Sequence, residues 1–221
     1  YDDLHADVLH WVRKGWVDYI VPQVYWNIGH QAADYAELTH WWGKHTPQKK
    51  AQLYIGQHAA RTMDGGQLEE KLALSRRNSS GNSWWSGEDL VKNYKGLGDS
   101  LITSYQTYRA LLPEVHGALG KTKAPAAISL ILEDTNEDGH MILWDDYREP
   151  SDPESAFYYA VYAFPEGTRP DISDVRYLMS ISTNPYFILP SMERGTTYRY
   201  MVTAINRFWQ ESKPASIRIS Y

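Results

Sequence analysis

The chain has 221 residues, of which 43% are hydrophobic and 22% charged, a profile typical of a folded globular protein. The formal net charge of −5 gives no reason to expect a nucleic-acid partner. Cysteine is absent, which excludes a disulfide framework, a thiolate nucleophile and a zinc–thiolate site. There are 9 Trp and 17 Tyr against 4 Phe, and the flat amphipathic faces of Trp and Tyr suit stacking on sugar rings.

The first half alternates helical and strand patterns in the order αβαβαβα. A helix with Asp2 or Asp3 as its N-cap is predicted to end at Gly15. The apolar, β-branched start of Val17–Trp26 is typical of a strand in a parallel sheet. Further predicted elements are a helix over Ala32–His45, a strand over Ala51–Gln57, a loop with Gly65-Gly66, a helix over Gln67–Arg77 and a strand over Asn82–Trp85.

The second half has the pattern of an all-β domain. Short apolar runs are separated by Pro, Gly, Asp and Ser, which predicts a sandwich of about 100 residues. The predicted strands are Ala127–Leu132, Met141–Asp146, Phe157–Phe164, Ile181–Leu189, Thr197–Asn206 and Ser216–Ser220. We therefore expect two domains, residues 1–120 and residues 121–221.

Polar and aromatic residues end the first predicted strand. Gln23 and Tyr25 alternate with Val24 and should share one face of the sheet. A glutamine can hold two sugar hydroxyls, and Tyr25 or Trp26 can stack on a pyranose ring, so a sugar-binding site is favoured over a core aromatic with a satisfied glutamine. Trp84 and Trp85 should point to opposite faces, one toward the ligand side and the other toward the helices.

Glycoside hydrolysis usually requires two carboxyl groups. Among the predicted strand ends, only the third offers carboxylates, Glu88 and Asp89. Ser86–Asp89 has the spacing of a helix capping box, and Glu88 would lie in the first turn, so structural roles are favoured for both. Asp18 lies early on its strand, where a structural role is also favoured.

Other catalytic and metal motifs are unsupported. The sequence contains neither His-Glu-x-x-His nor Gly-x-Ser-x-Gly, and we expect no metal and no cofactor. Asp134-x-Asn136-x-Asp138-Gly139, with Asp145 at the twelfth position, resembles an EF-hand loop. Both of its flanks have strand patterns, so a hairpin turn is favoured.

The second half resembles a fibronectin type III domain. Trp144 occupies the position of that family's core tryptophan, and Gly195–Asn206 matches its Gly-Thr-x-Tyr…Val-x-Ala-x-Asn pattern. The resemblance implies a β-sandwich and says almost nothing about function.

The first half resembles the C-terminal portion of the glycosyl-hydrolase-like family GHL10. Tyr1–Val8, Gly15–Trp26, Leu53–Gly56 and Gly81–Ser86 carry the resemblance, in the order and spacing of strands 6, 7 and 8 of that family's (β/α)8 barrel. It implies a fold in which a partial (β/α)8 barrel, about the last three βα units, precedes the fibronectin type III-like β-sandwich. His58 and Trp85 would then join Gln23, Tyr25 and Trp26 in contacting substrate.

The resemblance also sets the expected function. It implies a fragment of a bacterial glycoside hydrolase and lipoprotein of the periplasm or cell envelope, acting on a polysaccharide, with peptidoglycan glycan strands as the first class to test. Strands 1 to 5 and the catalytic carboxylates would precede Tyr1, so the fragment would be inactive alone, and the incomplete barrel could self-associate. The alternative is a non-catalytic carbohydrate-binding or scaffold protein of the envelope.

Overall fold

The computed structural model describes residues 5–47, 50–115, 122–129, 131–136, 139–145 and 148–221. The chain divides into two compact units. Among the described residues, the first comprises those up to Thr107 together with Val115, and the second comprises Tyr108–Glu114 and the residues from 122 onward. Leu111 in that short segment packs against an apolar cluster of the second unit.

The first unit is a three-stranded parallel sheet with helices packed against it. The strands are β1 (Tyr19–Ile20), β2 (Gln52–His58) and β3 (Gly81–Trp85), adjacent in that order. The helices are α1 (Val8–Lys14), α2 (Tyr35–His45), α3 (Ala59–Asp64), α4 (Leu68–Asn78), α5 (Gly87–Val91) and α6 (Leu97–Ser100), with a 3₁₀ turn at Tyr94–Gly96 and a π turn at Leu101–Tyr105. The predicted α/β class and parallel pairing are confirmed.

Two of the helix caps that the sequence predicts are present in the structure, and one is not. Gly15 ends α1 in the left-handed conformation, with φ of 69°. The side chains of Ser86 and Asp89 form the predicted capping box of α5. The predicted start of α1 is wrong, because Asp7 is its N-cap and accepts from the His10 N–H at 2.9 Å. Asp2 and Asp3 lie outside the described residues.

The first strand is shorter than predicted. Regular pairing covers only Tyr19–Ile20, because Pro22 has no N–H to donate. One bridge, between Gln23 and Gly56, continues the strand direction beyond the proline. The Gly56 N–H donates to the Pro22 carbonyl and the Val24 N–H donates to the Gly56 carbonyl, each at 2.9 Å. The direction of β1 therefore continues as far as Gln23, although regular pairing with β2 ends at Ile20.

The helices cover one face of the parallel sheet. Ile20, Val24, Leu53 and Ile55 are buried against side chains of α1, α2 and α4. A second cluster joins Ala59, Leu72, Leu97 and Leu101 to the half-buried Trp84 of β3. Helix α3 lies in this cluster and was not predicted, since the stretch before Gly65-Gly66 is too short for an apolar repeat.

The second unit is a two-sheet antiparallel sandwich, which confirms the predicted all-β class. The strands are β4 (Ile131–Asn136), β5 (Gly139–Trp144), β6 (Tyr158–Pro165), β7 (Leu178–Ser182), β8 (Tyr186–Ile188), β9 (Thr197–Ile205) and β10 (Ala215–Ser220). One sheet has the order β4-β5-β8 and the other β10-β9-β6-β7. Trp144 is buried in the core between the sheets, as predicted, with its ring edge-on to Tyr159 at 5.3 Å.

Two predictions in the second half have different outcomes. The single strand predicted over Ile181–Leu189 is wrong, because β7 and β8 belong to different sheets and Pro185 lies between them. The calcium-loop-like segment overlaps β4 and β5, which pair antiparallel up to Asn136 and Gly139. That pairing supports the hairpin, while Asp138 lies outside the described residues.

Candidate functional site

The face of the parallel sheet opposite the helices is open. Side chains on alternate residues of a strand share a face, so Gln23, Gly56 and Ser83 form one cross-strand row. Gln23 and Ser83 are exposed, and Tyr19 and Trp85 each expose 61% of their surface. In the part of the chain that the structure describes, no buried apolar cluster includes any of these four side chains.

An aromatic row lies where the strands end. Parallel register places His58 of β2 directly beside Trp85 of β3. The ring of Tyr25 meets that of His58 edge-on, with centroids 5.5 Å apart. Three of the predicted substrate-contacting residues thus converge at the carboxyl edge of the sheet, where ligands bind in parallel α/β folds. The substrate role of these residues remains a prediction.

His58 also begins the helix that follows it. Its Nδ1 accepts the Arg61 N–H at 3.4 Å and so caps α3. In the neutral imidazole the hydrogen then belongs on Nε2. Nε2–H is then the donor of the ring, and the ring is half-buried against Tyr25.

The remaining predicted residues lie apart from this row. Gln23 is one row deeper along the strands, beside Gly56. Trp26 lies beyond the last bridge, 36% exposed, with its ring tilted against His30 at 6.3 Å. The structure therefore places Gln23 below the aromatic row and does not bring Trp26 into it.

Trp84 and Trp85 point to opposite faces of β3, as predicted. Trp84 packs against apolar side chains of α3, α4 and α6. Trp85 is largely exposed on the open face. The alternation of the strand explains the difference, because adjacent residues lie on opposite faces.

The carboxylates near this edge of the sheet have structural partners. Asp89 caps α5 and Glu88 pairs with Lys92 one turn later. Asp64 accepts from the Tyr94 hydroxyl at 3.0 Å and pairs with Lys95 at 2.7 Å. These contacts bear out the structural roles predicted for Glu88 and Asp89.

Asp34 is a fourth carboxylate at this edge, and it caps α2. It accepts the backbone N–H groups of Ala36 and Glu37 at 2.7 and 3.1 Å. Burial opposes ionisation, yet these bonds and one from Gly29 hold the pKa of the Asp34 carboxyl below its usual value. Its proton is therefore lost readily, which suits a cap and not a general acid.

Lys71 is a buried cation that sequence reasoning missed. It is wholly buried, and its Nζ lies 3.4 Å from Asn27 Oδ1, 3.3 Å from Thr62 Oγ1 and 4.9 Å from the Tyr35 ring centroid. Burial, aided by the charge of Arg61, lowers the pKa of Lys71 to about 8. Its position three residues after Leu68 on the buried face of α4 was the available signal.

Helix α4 holds the segment that follows Trp26. The Gln67 side chain accepts from the Ile28 N–H at 2.9 Å and donates to the Ile28 carbonyl at 3.2 Å. Lys71 adds a hydrogen bond to Asn27. Gln67 and Lys71 therefore anchor the successive residues Asn27 and Ile28. These bonds fix the point at which the chain leaves Tyr25 and Trp26.

Within the described ranges, no group of three or more His, Asp or Glu side chains is arranged to hold a metal ion. Over the same residues, no helix has the length and apolar character needed to span a membrane.

Comparison with known proteins confirms the predicted resemblance for the first half. Residues 1–71 match the family Glycosyl hydrolase-like 10. The glycosyl hydrolase YngK of Bacillus subtilis (strain 168) is 30% identical over 227 residues, covering 96% of this chain and 43% of YngK. The glycosyl hydrolase DigH of Escherichia coli (strain K12) is 43% identical over 56 residues, covering 25% of this chain and 13% of DigH. The chain thus spans less than half the length of these relatives.

Solved structures similar to the chain include a fibronectin type III domain. The third such domain of human KIAA0343 protein shares 14% identity with a TM-score of 0.34, covering 47% of this chain and 87% of that domain. The sandwich of the second unit is established by its own strand pairing.

Proposed function

We propose that the chain forms part of a glycoside hydrolase and contributes a sugar-binding wall to it. The observation that carries this proposal is the row of Tyr25, His58 and Trp85 at the carboxyl edge of an open parallel sheet. The matches to Glycosyl hydrolase-like 10, YngK and DigH support a glycoside-hydrolase relative.

The three strands would be the last three of a (β/α)8 barrel. In such a barrel the helices lie outside and the opposite face of each strand lines the interior. The distribution here supports this, since helices cover one face while Tyr19 and Trp85 are each 61% exposed on the other. Further strands of the full-length protein would cover Tyr19 and leave Trp85 at the barrel mouth.

Hydrolysis would depend on carboxylates supplied by the rest of the barrel. One carboxyl must protonate the leaving oxygen, and another must act as nucleophile or base. Asp89 is held in the capping box of α5, Asp34 and Asp64 are held by backbone or side-chain partners, and Glu88 forms an exposed pair with Lys92. The 221-residue chain alone would therefore bind glycan without cleaving it.

The wall residues have separate tasks in this proposal. Trp85 would stack on a pyranose ring, where its broad apolar face replaces water. His58 Nε2–H would donate to a hydroxyl, and the Gln23 amide would both donate and accept one row deeper. Trp26 would contact a neighbouring sugar outside the row.

The substrate class follows from the resemblance. Peptidoglycan glycan strands are the first to test, with the protein in the periplasm or cell envelope. A non-catalytic carbohydrate-binding or scaffold protein is the second candidate, favoured by the aromatic row and by the engaged carboxylates of this chain.

Glycan binding by the chain tests the wall. We expect Trp85→Ala to weaken binding of soluble peptidoglycan glycan strands about tenfold, the loss that corresponds to about 1.4 kcal/mol of aromatic contact. Trp16→Ala is the matched control, since Trp16 is 66% exposed and lies outside the row. Equal loss in both variants, measured by calorimetry, would refute a specific role for Trp85.

A further inference from the structure

The second unit carries three arginines around a surface cavity of about 290 Å³. The cavity forms where the loop after β6 meets β9 and β10. Arg169 comes from the loop, Arg199 from β9 and Arg218 from β10. Pro165 ends β6 and Pro170 lies within the loop, and each restricts the backbone at its position.

The charges of Arg199 and Arg218 should lower the stability of the sheet. Arg199 and Arg218 lie directly opposite each other in the antiparallel ladder. Like charges in such a pair are destabilising. Glu166 lies 3.9 Å from Arg218, and their side chains are 62% and 64% exposed. The charge of Arg169 helps to lower the pKa of the Asp171 carboxyl. Among the described residues, the only salt bridge to the strand pair Arg199 and Arg218 is the long, exposed contact with Glu166.

We propose that this cavity binds an oxyanion, a carboxylate or a phosphate, carried by an acidic polymer. A guanidinium presents its N–H donors as a planar fork that fits both groups in a two-pronged fashion. An oxyanion between Arg199 and Arg218 would relieve their repulsion and accept from both. The exposure of Arg218 leaves the site accessible to a long chain passing over the sheet.

This site is independent of the proposed glycan wall. The wall on the first unit selects neutral ring faces through Trp85, whereas the arginine site selects negative charge. A failure of either proposal therefore leaves the other standing, because each is tested by its own variants on its own unit: Trp85→Ala for the wall, and Arg199→Gln with Arg218→Gln for the arginine site.

Binding of the 221-residue chain to labelled polymers tests the proposal. The probes are polygalacturonate for carboxylate, poly(glycerol phosphate) for phosphate and dextran as a neutral reference. We expect the double variant Arg199→Gln with Arg218→Gln to weaken binding of an acidic polymer at least about tenfold, as the loss of charge-assisted hydrogen bonds implies. Preference for one acidic polymer identifies the oxyanion.

Arg194→Gln is the matched control, since Arg194 is exposed on the same unit and does not line the cavity. The proposal is overturned when neither acidic polymer binds better than dextran, or when Arg194→Gln weakens binding as much as the double variant. The double variant should melt at the same temperature or higher, because the repelling pair is gone. If it melts lower, Arg218→Lys decides: weakened binding at unchanged charge supports the site, and unchanged binding overturns it.

Discussion

The adjacent residues Trp84 and Trp85 of β3 should have different roles, Trp84 in the stability of the fold and Trp85 in binding. Trp84 packs in an apolar cluster, so Trp84→Ala should lower the free energy of unfolding by about 2–3 kcal/mol. Trp85 is 61% exposed, and Trp85→Ala should change it by no more than about 0.5 kcal/mol. Urea denaturation measures both. A large loss for Trp85→Ala would mean that the open face is covered.

Because the pKa of Lys71 is lowered in the folded state, the free energy of unfolding of the first unit should rise with pH. The pKa of Lys71 is about 8 in the folded state and near 10.5 when unfolded, so the unfolded state binds more protons between these values. Stability should therefore increase as pH rises through that window, by at most about 3 kcal/mol. Tryptophan fluorescence follows this unit, since seven of the nine tryptophans precede residue 120.

Lys71→Met is the control for this pH dependence. Methionine fills the space without a charge, and burial keeps Tyr35, with its raised pKa, neutral through the window. The variant should lose most of the increase between pH 8 and 10. An identical rise in the wild-type and variant chains would assign it to other groups.

At the level of elements, the approach of β2 to the segment around Pro22 depends on a glycine. A Cβ on Gly56 would lie 2.8 Å from the Pro22 carbonyl oxygen. Gly56→Ala should therefore separate the two segments and cost about 1–3 kcal/mol, the usual range for overpacking. Gly87→Ala is the control, because a Cβ at Gly87 meets nothing within 4 Å. Thermal unfolding with equal effects for both would contradict this account of the bridge.

Local patterns determined how much of the fold could be predicted. The cap at Gly15, the capping box at Ser86 and the strand over Gln52–His58 depend on neighbouring residues, and sequence captured them. Ile181–Leu189 has one apolar pattern, but the structure divides it between two sheets. That division depends on tertiary packing and not on the local sequence.

The candidate site shows the same limit. Alternation along the strands predicted the opposite directions of Trp84 and Trp85, and spacing predicted the cap at Asp89. The burial of Lys71 had a signal in its position on the apolar face of α4, but the separation of Trp26 from the aromatic row had none, because it depends on how a loop packs against the sheet.

For the whole molecule, we predict that the isolated chain self-associates through the open face of the parallel sheet. Exposed aromatic surface on an uncovered sheet favours contact between copies. The sedimentation coefficient should rise with protein concentration, and Tyr19→Glu should reduce that rise by placing a charge on the open face. Val91→Glu is the control, since Val91 is exposed elsewhere. A concentration-independent monomer would contradict the expectation.

Release of reducing ends from peptidoglycan glycan strands tests the central claim, that this chain binds sugar within a hydrolase whose carboxylates lie in the rest of the barrel. The full-length gene product, its Trp85→Ala variant and the 221-residue chain are compared at equal concentration. We expect turnover by the full-length protein, reduced turnover by the variant and none by the chain. Turnover by the 221-residue chain, or none by the full-length protein on any polysaccharide that it binds, would contradict the account.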